Sequence, residues 1–316
     1  MESDADQTSS RPTSAARACA TLRERLARGS LVRLDGATGT ELERRGYKAG
    51  LPLWSTHSLL DAPEAVAEIH ADYARAGADI LTANTFRTQR RTLERAAHSR
   101  PGRILDDAEL TAQAVGLARH GARTAGQPVW IAGSAPPLED CYRPDRVPEN
   151  ATLRREHTRH MENLAAAEVD LALVETMNTA REALIACEAA QRCDLPLLVS
   201  FIAGPSGQLL SGEPLEDAIE AVEGCDPLAV LVNCLPPSAV AGCLPALQAS
   251  GLPFGIYANL GVPDPDGSFK RSESCAADQW ARFTQDWMDA GAQIIGGCCG
   301  TTPEHILATL DTAPKA

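Results

Sequence analysis

The sequence lacks the features that would send a chain to a membrane, a nucleic acid or an oxidising compartment. No apolar run approaches the roughly 18 residues that a membrane span needs, so no membrane association is expected. Positive charge is scarce: 29 Lys and Arg stand against 42 Asp and Glu, a net −13, with no basic stripe. That balance argues against nucleic acid, and against an anionic membrane surface, as partners. Met1-Glu2-Ser3-Asp4-Ala5-Asp6 contains no basic region leading into an apolar core, which predicts no secretory leader. Disulfide-type spacing is missing too, because the ten cysteines are scattered irregularly over 316 residues. A chain of this length builds a core without staples, so reduced thiols, metal binding and a cytoplasmic setting are expected.

What is present is a rhythm. Residues 1–15 are rich in Ser, Asp, Thr and Ala without periodicity and read as a disordered tail. A short helix is expected over Ala16–Arg28, covering the bottom of a single domain that runs from residue 16 to residue 316. Eight apolar runs follow: Leu31–Leu34, Asp79–Thr82, Val129–Ala132, Leu171–Val174, Leu195–Ser200, Leu228–Val232, Phe254–Tyr257 and Ala292–Ile295. Each is separated from the next by a stretch of helical pattern, the signature of repeated βα units and a parallel sheet. Ala62-Pro63-Glu64 and Thr302-Pro303-Glu304 read as helix starts, and Gly77 and Gly291 as helix stops. Eight such units close into an α/β fold of the (β/α)₈ TIM-barrel type. A doubly wound open sheet is the alternative, and the absence of a GxGxxG turn counts against it. The insertion Gly36–Ala62 is long enough to be an active-site loop.

In a barrel the chemistry sits at the C-terminal ends of the strands. Those positions read Asp35, Asn84, Ser134, Glu175, Phe201, Asn233 with Cys234, Asn259, and Cys298 with Cys299. Polar and metal-binding residues therefore gather on one rim. Gly296-Gly297-Cys298-Cys299-Gly300 is the densest of these stretches. Adjacent strand residues face opposite ways, so the two thiols share a target only if the backbone bends, which the flanking glycines permit. Cys234 ends another buried run. Three thiols at two strand ends predict a zinc site with one open position, the catalytic rather than the closed structural pattern. Ordinary burial accounts for Cys187, Cys193, Cys225 and Cys243, but poorly for a pair framed by glycines. A vicinal disulfide would be strained.

Asp35-Gly36-Ala37-Thr38-Gly39-Thr40-Glu41-Leu42, Thr82-Ala83-Asn84-Thr85-Phe86, Val174-Glu175-Thr176, Val232-Asn233-Cys234 and Gly296-Gly297-Cys298-Cys299-Gly300-Thr301-Thr302-Pro303 together resemble the homocysteine S-methyltransferase family. The likeness runs from about Leu31 to Leu310, and GGCCG with a distant NC is its most specific part. It implies a (β/α)₈ barrel, Zn²⁺ on Cys234, Cys298 and Cys299, and methyl transfer to homocysteine to give methionine. It also implies that Glu175 holds the substrate ammonium, and the Asp35-Gly36-Ala37 turn offers backbone amides for the substrate carboxylate. Asn233 is expected to touch substrate or to orient the loop that carries Cys234. Trp54 is the leading aromatic for a cationic methyl donor, with Phe86, Tyr142 and Tyr257 behind it; ordinary packing competes for each. The Leu53-Trp54-Ser55 string looks more like the S-methylmethionine or S-adenosylmethionine branch than the betaine branch.

One departure stands out. The family's Gly-Ser followed by a Gly-Pro turn is here Gly133-Ser134-Ala135-Pro136-Pro137-Leu138-Glu139-Asp140, so Pro136–Asn150 is the segment expected to adapt the donor site. No cobalamin-binding or folate-binding module is expected beside the barrel. His157 and His160, three apart on one helix, read as a solvated face rather than as ligands. The rival readings are the same zinc chemistry with a betaine or dimethylsulfonium donor, or with a selenol or other thiol as acceptor. A non-catalytic zinc or redox-sensing barrel is the rival from another class, and a metal-dependent hydrolase is disfavoured by the thiolate ligands. The partners expected are small molecules, with homo-oligomer formation left open.

Overall fold

A computed structural model of the chain describes residues 14–48, 50–99, 105–263, 269–271 and 275–309. Eight strands form one parallel sheet: β1 (Val32–Arg33), β2 (Ile80–Ala83), β3 (Trp130–Ala135), β4 (Leu171–Met177), β5 (Leu197–Phe201), β6 (Ala229–Asn233), β7 (Phe254–Ala258) and β8 (Ile294–Gly297). Each pairs with its sequence neighbour, and β8 pairs with β1. A parallel bridge between Leu34 and Ile80 joins β1 to β2 and closes the ring. The fold is the expected (β/α)₈ barrel.

The strands are apolar on both faces, as parallel strands covered by helices must be. Along β4, Leu171 and Leu173 belong to the cluster filling the barrel, while Ala172 and Val174 pack outward against helices. The same alternation places Ile80, Ala132, Leu198, Leu231 and Ile294 inside. Two residues further along each strand the inward parity falls on Thr82, Ser134, Ser200, Asn233 and Gly296, and on Glu175 in β4. An apolar plug thus gives way to a polar layer at the C-terminal rim.

Helices lie between the strands as expected, among them Pro63–Arg75, Asp107–Ala125, Asn150–Ala166, Ala180–Arg192 and Ala277–Asp289, and those beginning at Pro63 and Pro303 start where the sequence signals them. The first helix already covers Ser14 and Ala15, whereas the rest of the expected tail, residues 1–13, lies outside the described residues. The Gly36–Ala62 insertion is not a plain loop, since it carries helices Gly39–Arg44 and His57–Asp61 around a 3₁₀ turn at Trp54–Thr56. These are too short for a 3.6-residue pattern to register. A further helix, Arg90–Ser99, escapes a hydrophobic reading because only Leu93 and Ala96 anchor it in the core. A small antiparallel pair, Gly261–Pro263 with Phe269–Arg271, follows β7.

One sequence expectation is corrected. His157 and His160 do not form a solvated face: both are buried, His157 against Glu182 at 3.1 Å and His160 donating to the Ser134 carbonyl at 3.0 Å. Both sit on the buried face of their helix, His160 toward the end of β3 and His157 toward the neighbouring helix Ala180–Arg192. No helix among the described residues is long and apolar enough to cross a membrane.

Candidate active site

The rim encloses a cavity of about 480 Å³. Into it come Asp35, Gly36, Ala37, Trp54, Glu175, Cys234, Cys298 and Cys299 of the residues singled out in the sequence. Asn233 is fully buried and does not line it.

The thiols converge from β6 and β8, on either side of β7. Cys234 has φ of +56°, a left-handed conformation that turns its side chain off the strand direction. The Cys298–Cys299 segment bends with Gly300 at φ +85° and is pinned by four backbone donors: Cys298 N–H to Ala258 O, Leu260 N–H to Cys299 O, Thr301 N–H to Cys298 O and Gly297 N–H to Asp35 O, at 2.8–3.1 Å. Gly300 N–H also donates to Thr40 Oγ1 at 2.8 Å, tying the thiol loop to the insertion after β1. The three sulfurs lie within 4.8 Å of one another, and Cys234 Sγ is 3.0 Å from Cys298 Sγ. Hydrogen bonding from the Cys234 and Cys299 thiols holds Cys298 well below the ordinary thiol range, while the same pairing raises Cys234.

These residues fit a zinc ion. Tetrahedral thiolates at about 2.3 Å from zinc sit roughly 3.8 Å apart, a separation the cluster reaches with sub-ångström adjustment. Among the described residues only Cys234, Cys298 and Cys299 converge as a ligand cluster, and it opens on the cavity. The rest of the wall carries Glu175, hydroxyls and, outside that cluster, the Cys141 thiol.

Glu175 faces the thiols from β4. Its Oε1 accepts from Ser134 Oγ, and Oε2 accepts from Tyr257 OH at 3.2 Å. Burial pushes its carboxyl up to about 7 against those two donors, and the nearby Cys298 adds to the rise. A buried carboxylate with this cradle is ready for a cation. Asp35 is held differently: Thr82 donates to it through both N–H and Oγ1, each at 2.8 Å, across the β1–β2 closure. Burial raises it to about 8 in spite of those donors. Its carboxylate clamps the barrel seam, while its turn faces the cavity. A Cβ at Gly36 would come within 2.7 Å of Tyr73 OH and Thr301 Oγ1, so only glycine lets that turn close. The Ala37 amide lies 3.3 Å from Thr301 Oγ1.

Asn233 spans three strands: its Oδ1 accepts from Thr176 N–H at 3.1 Å and Ser200 Oγ at 2.7 Å, and its Nδ2 donates to Thr176 Oγ1 at 2.8 Å. The structure therefore places it behind the site, fixing the β6 end from which Cys234 springs. Trp54, at φ +49°, lies against Gly39, where a Cβ would meet its Nε1 at 1.9 Å. Ser134, named in the sequence as a strand end, and Tyr257, named as a lesser aromatic, line the cavity together with Thr176, which the sequence did not single out. Of the expected donor segment, Asp140, Cys141 and Tyr142 reach the cavity, whereas Glu139 turns away to Arg91 and Arg95.

Fold and site define a (β/α)₈ barrel with a three-thiol, metal-type centre at its C-terminal rim, facing a buried carboxylate. The sequence profile of homocysteine S-methyltransferases matches residues 32–312, and the chain belongs to that family. It is 33% identical to the homocysteine S-methyltransferase of Escherichia coli (strain K12), covering 91% of this chain and 96% of that one. A selenocysteine Se-methyltransferase of Brassica oleracea var. italica is 27% identical, over 89% of this chain and 88% of its own. Among solved structures, the metallated form of the homocysteine methyltransferase MmuM from Escherichia coli superposes with a TM-score of 0.78 at 28% identity. It covers 93% of this chain and 99% of that one.

Proposed function

We propose that the protein transfers a methyl group from a small sulfonium donor, S-methylmethionine or S-adenosylmethionine, to the sulfur of L-homocysteine, giving methionine. Cys234, Cys298 and Cys299 would hold zinc, and their convergence on an open cavity facing Glu175 carries the reading. The metallated relative supports a metal here, and the all-thiolate donor set favours zinc. A bound zinc ion supplies the acidity that makes a substrate thiol a thiolate at neutral pH.

The chain's own residues do the positioning. Glu175, aligned by Ser134 and Tyr257, takes the homocysteine ammonium, and the Gly36–Ala37 turn offers its backbone to the carboxylate, with the Ala37 N–H exchanging Thr301 Oγ1 for it. Held at both ends, the amino acid has its sulfur directed at the thiol cluster. The homocysteine sulfur then attacks the donor methyl carbon in line. A carbon–sulfur bond forms, the donor's own methyl–sulfonium bond breaks, and its electron pair remains on the departing neutral thioether. No general base is needed at that step, because the attacking sulfur has already lost its proton. Trp54 presents an aromatic face to the donor's cationic sulfur.

A selenol acceptor is the second reading, favoured by the selenocysteine-methylating relative. The thiol-rich site suits a reducing cytoplasm. Methionine formation from homocysteine, with S-methylmethionine, S-adenosylmethionine and betaine each as sole donor, tests the proposal. Turnover with a sulfonium is expected, and turnover with betaine alone would overturn the donor assignment.

A further inference from the structure

The cavity is also lined by two opposite charges to which the proposed chemistry assigns no role. Among the described residues Arg87 is the only basic side chain lining it, and Asp140 lines it from the loop after β3. Neither forms an ion pair among the described residues. Their neighbours do: Glu139 binds Arg91 and Arg95, Arg91 also binds Glu156, and Arg90 binds Glu94. Arg87 and Asp140 stand outside those pairs, and both line the same cavity.

Their positions are fixed by the backbone. Thr85 Oγ1 donates to the Ser134 carbonyl at 2.9 Å and Thr88 Oγ1 lies 2.8 Å from Thr111 Oγ1, so the turn between them presents Phe86 and Arg87. The Arg87 guanidinium lies 5.5 Å from the Phe86 ring centroid, a stack that leaves its planar edge available. Asp140 Oδ1 accepts from the Tyr142 amide at 2.9 Å, which orients the carboxylate, and Asn178 Nδ2 holds the Cys141 carbonyl at 2.9 Å. Both charges act on the Cys141 thiol in opposite senses, which sets them around one part of the wall.

A guanidinium and a carboxylate lining one cavity match the two charges of an α-amino acid. The acceptor's charges are already matched by Glu175 and the Gly36–Ala37 turn, so a second such pair calls for a second amino acid. We propose that Arg87 takes the carboxylate and Asp140 the α-ammonium of an amino-acid sulfonium donor. A betaine has no ammonium N–H for Asp140, and a simple sulfonium lacks both groups. The inference rests on the methyl-transfer reading above and assigns the α-amino-acid end of its sulfonium donor to Arg87 and Asp140.

The test uses the full-length, zinc-loaded protein and two readouts, calorimetric donor binding and methionine formation. The donors are S-methylmethionine, (3-carboxypropyl)dimethylsulfonium, which lacks the ammonium, and trimethylsulfonium, which lacks both charges. Wild type should bind S-methylmethionine at least tenfold tighter than trimethylsulfonium; equal affinity overturns the inference without any variant. Arg87→Gln should weaken S-methylmethionine tenfold or more and leave trimethylsulfonium unaffected, with Arg87→Lys recovering part of the loss. Asp140→Asn should weaken S-methylmethionine while sparing the carboxypropyl compound. Variants are compared only where their unfolding midpoint matches wild type. A rise in the homocysteine KM in place of the donor KM would assign the pair to the acceptor and overturn the inference. If no sulfonium were turned over, the proposed function would fail. Charge-selective loss of S-methylmethionine binding would then still uphold the pair, and its absence would sink it.

Discussion

On the wall built by β4, β6 and β8, almost every polar side chain is committed to another strand. Asn233 ties β6 to Thr176 and Ser200, Ser134 and Tyr257 hold Glu175, and four backbone donors pin the cysteine segment. The wall built by the segments after β1, β2 and β3 differs. Its frame is equally fixed, but Trp54, Arg87 and Asp140 present an aromatic face and two charges that form no ion pair among the described residues. The first wall suits a substrate whose reacting atom must be placed within a fraction of an ångström. The second suits recognition, where one residue can change without disturbing the metal centre. On this view the two walls should fail independently when mutated.

The largest effect should come from the thiols. Cys298→Ala removes a ligand from a three-ligand set, and zinc retention and methyl transfer should both vanish, at least about 1,000-fold in rate. Metal analysis beside a methionine assay would show it, and full activity in that variant would refute the mechanism. Next, Glu175→Gln keeps the shape and loses the charge. It should lower kcat/KM for homocysteine by roughly 100-fold, about 3 kcal/mol, with zinc content intact. Asn233→Ala should cost about 2–4 kcal/mol of stability by orphaning buried partners, and should loosen zinc retention although Asn233 is not itself a ligand. A chemical-denaturation curve measured with and without chelator separates those two effects. On the other wall, Trp54→Ala should raise the donor KM about tenfold and leave both zinc content and the homocysteine KM alone; a parallel rise in both KM values would mean the walls are coupled.

The smallest effect concerns acid. Burial drives His160 down to about 4, with its Nε2–H on the Ser134 carbonyl and its buried Nδ1 without a partner. Above about 6.5 the ring is neutral in folded and unfolded chains alike and adds no pH dependence. Between about 6.5 and 4 only the unfolded chain takes the proton, so stability falls with pH by up to about 1.4 kcal/mol per unit. Equilibrium unfolding at several pH values should show that slope, reduced by one proton in His160→Gln.

Much of the active wall was legible in the sequence because strand ends carry it. Glu175, Cys234, Cys298 and Cys299 each terminate a buried run, and a barrel sends all such ends to one rim. The alternation that makes Leu171 and Leu173 inward also makes Glu175 inward. What the sequence concealed depends on contacts between distant elements. Asn233 looks like a rim residue until Thr176 and Ser200 are seen to hold it from behind. His157 and His160 look like a polar helix face until the helix is laid on the barrel. The helices in Gly36–Ala62 are too brief for periodicity, and Trp54 owes its position to the missing side chain of Gly39. Asp140 was legible only as part of the Pro136–Asn150 segment, and Arg87 carries no motif; the cavity lining brings both into view.

The measurement that bears most directly on the central claim is zinc content per chain in fully reduced protein, taken on the same sample as methionine formation from homocysteine and S-methylmethionine. One zinc per chain, with turnover lost on chelation and restored by zinc, is the predicted result. Reduced protein that binds no zinc, or that turns over equally well without it, would contradict the account.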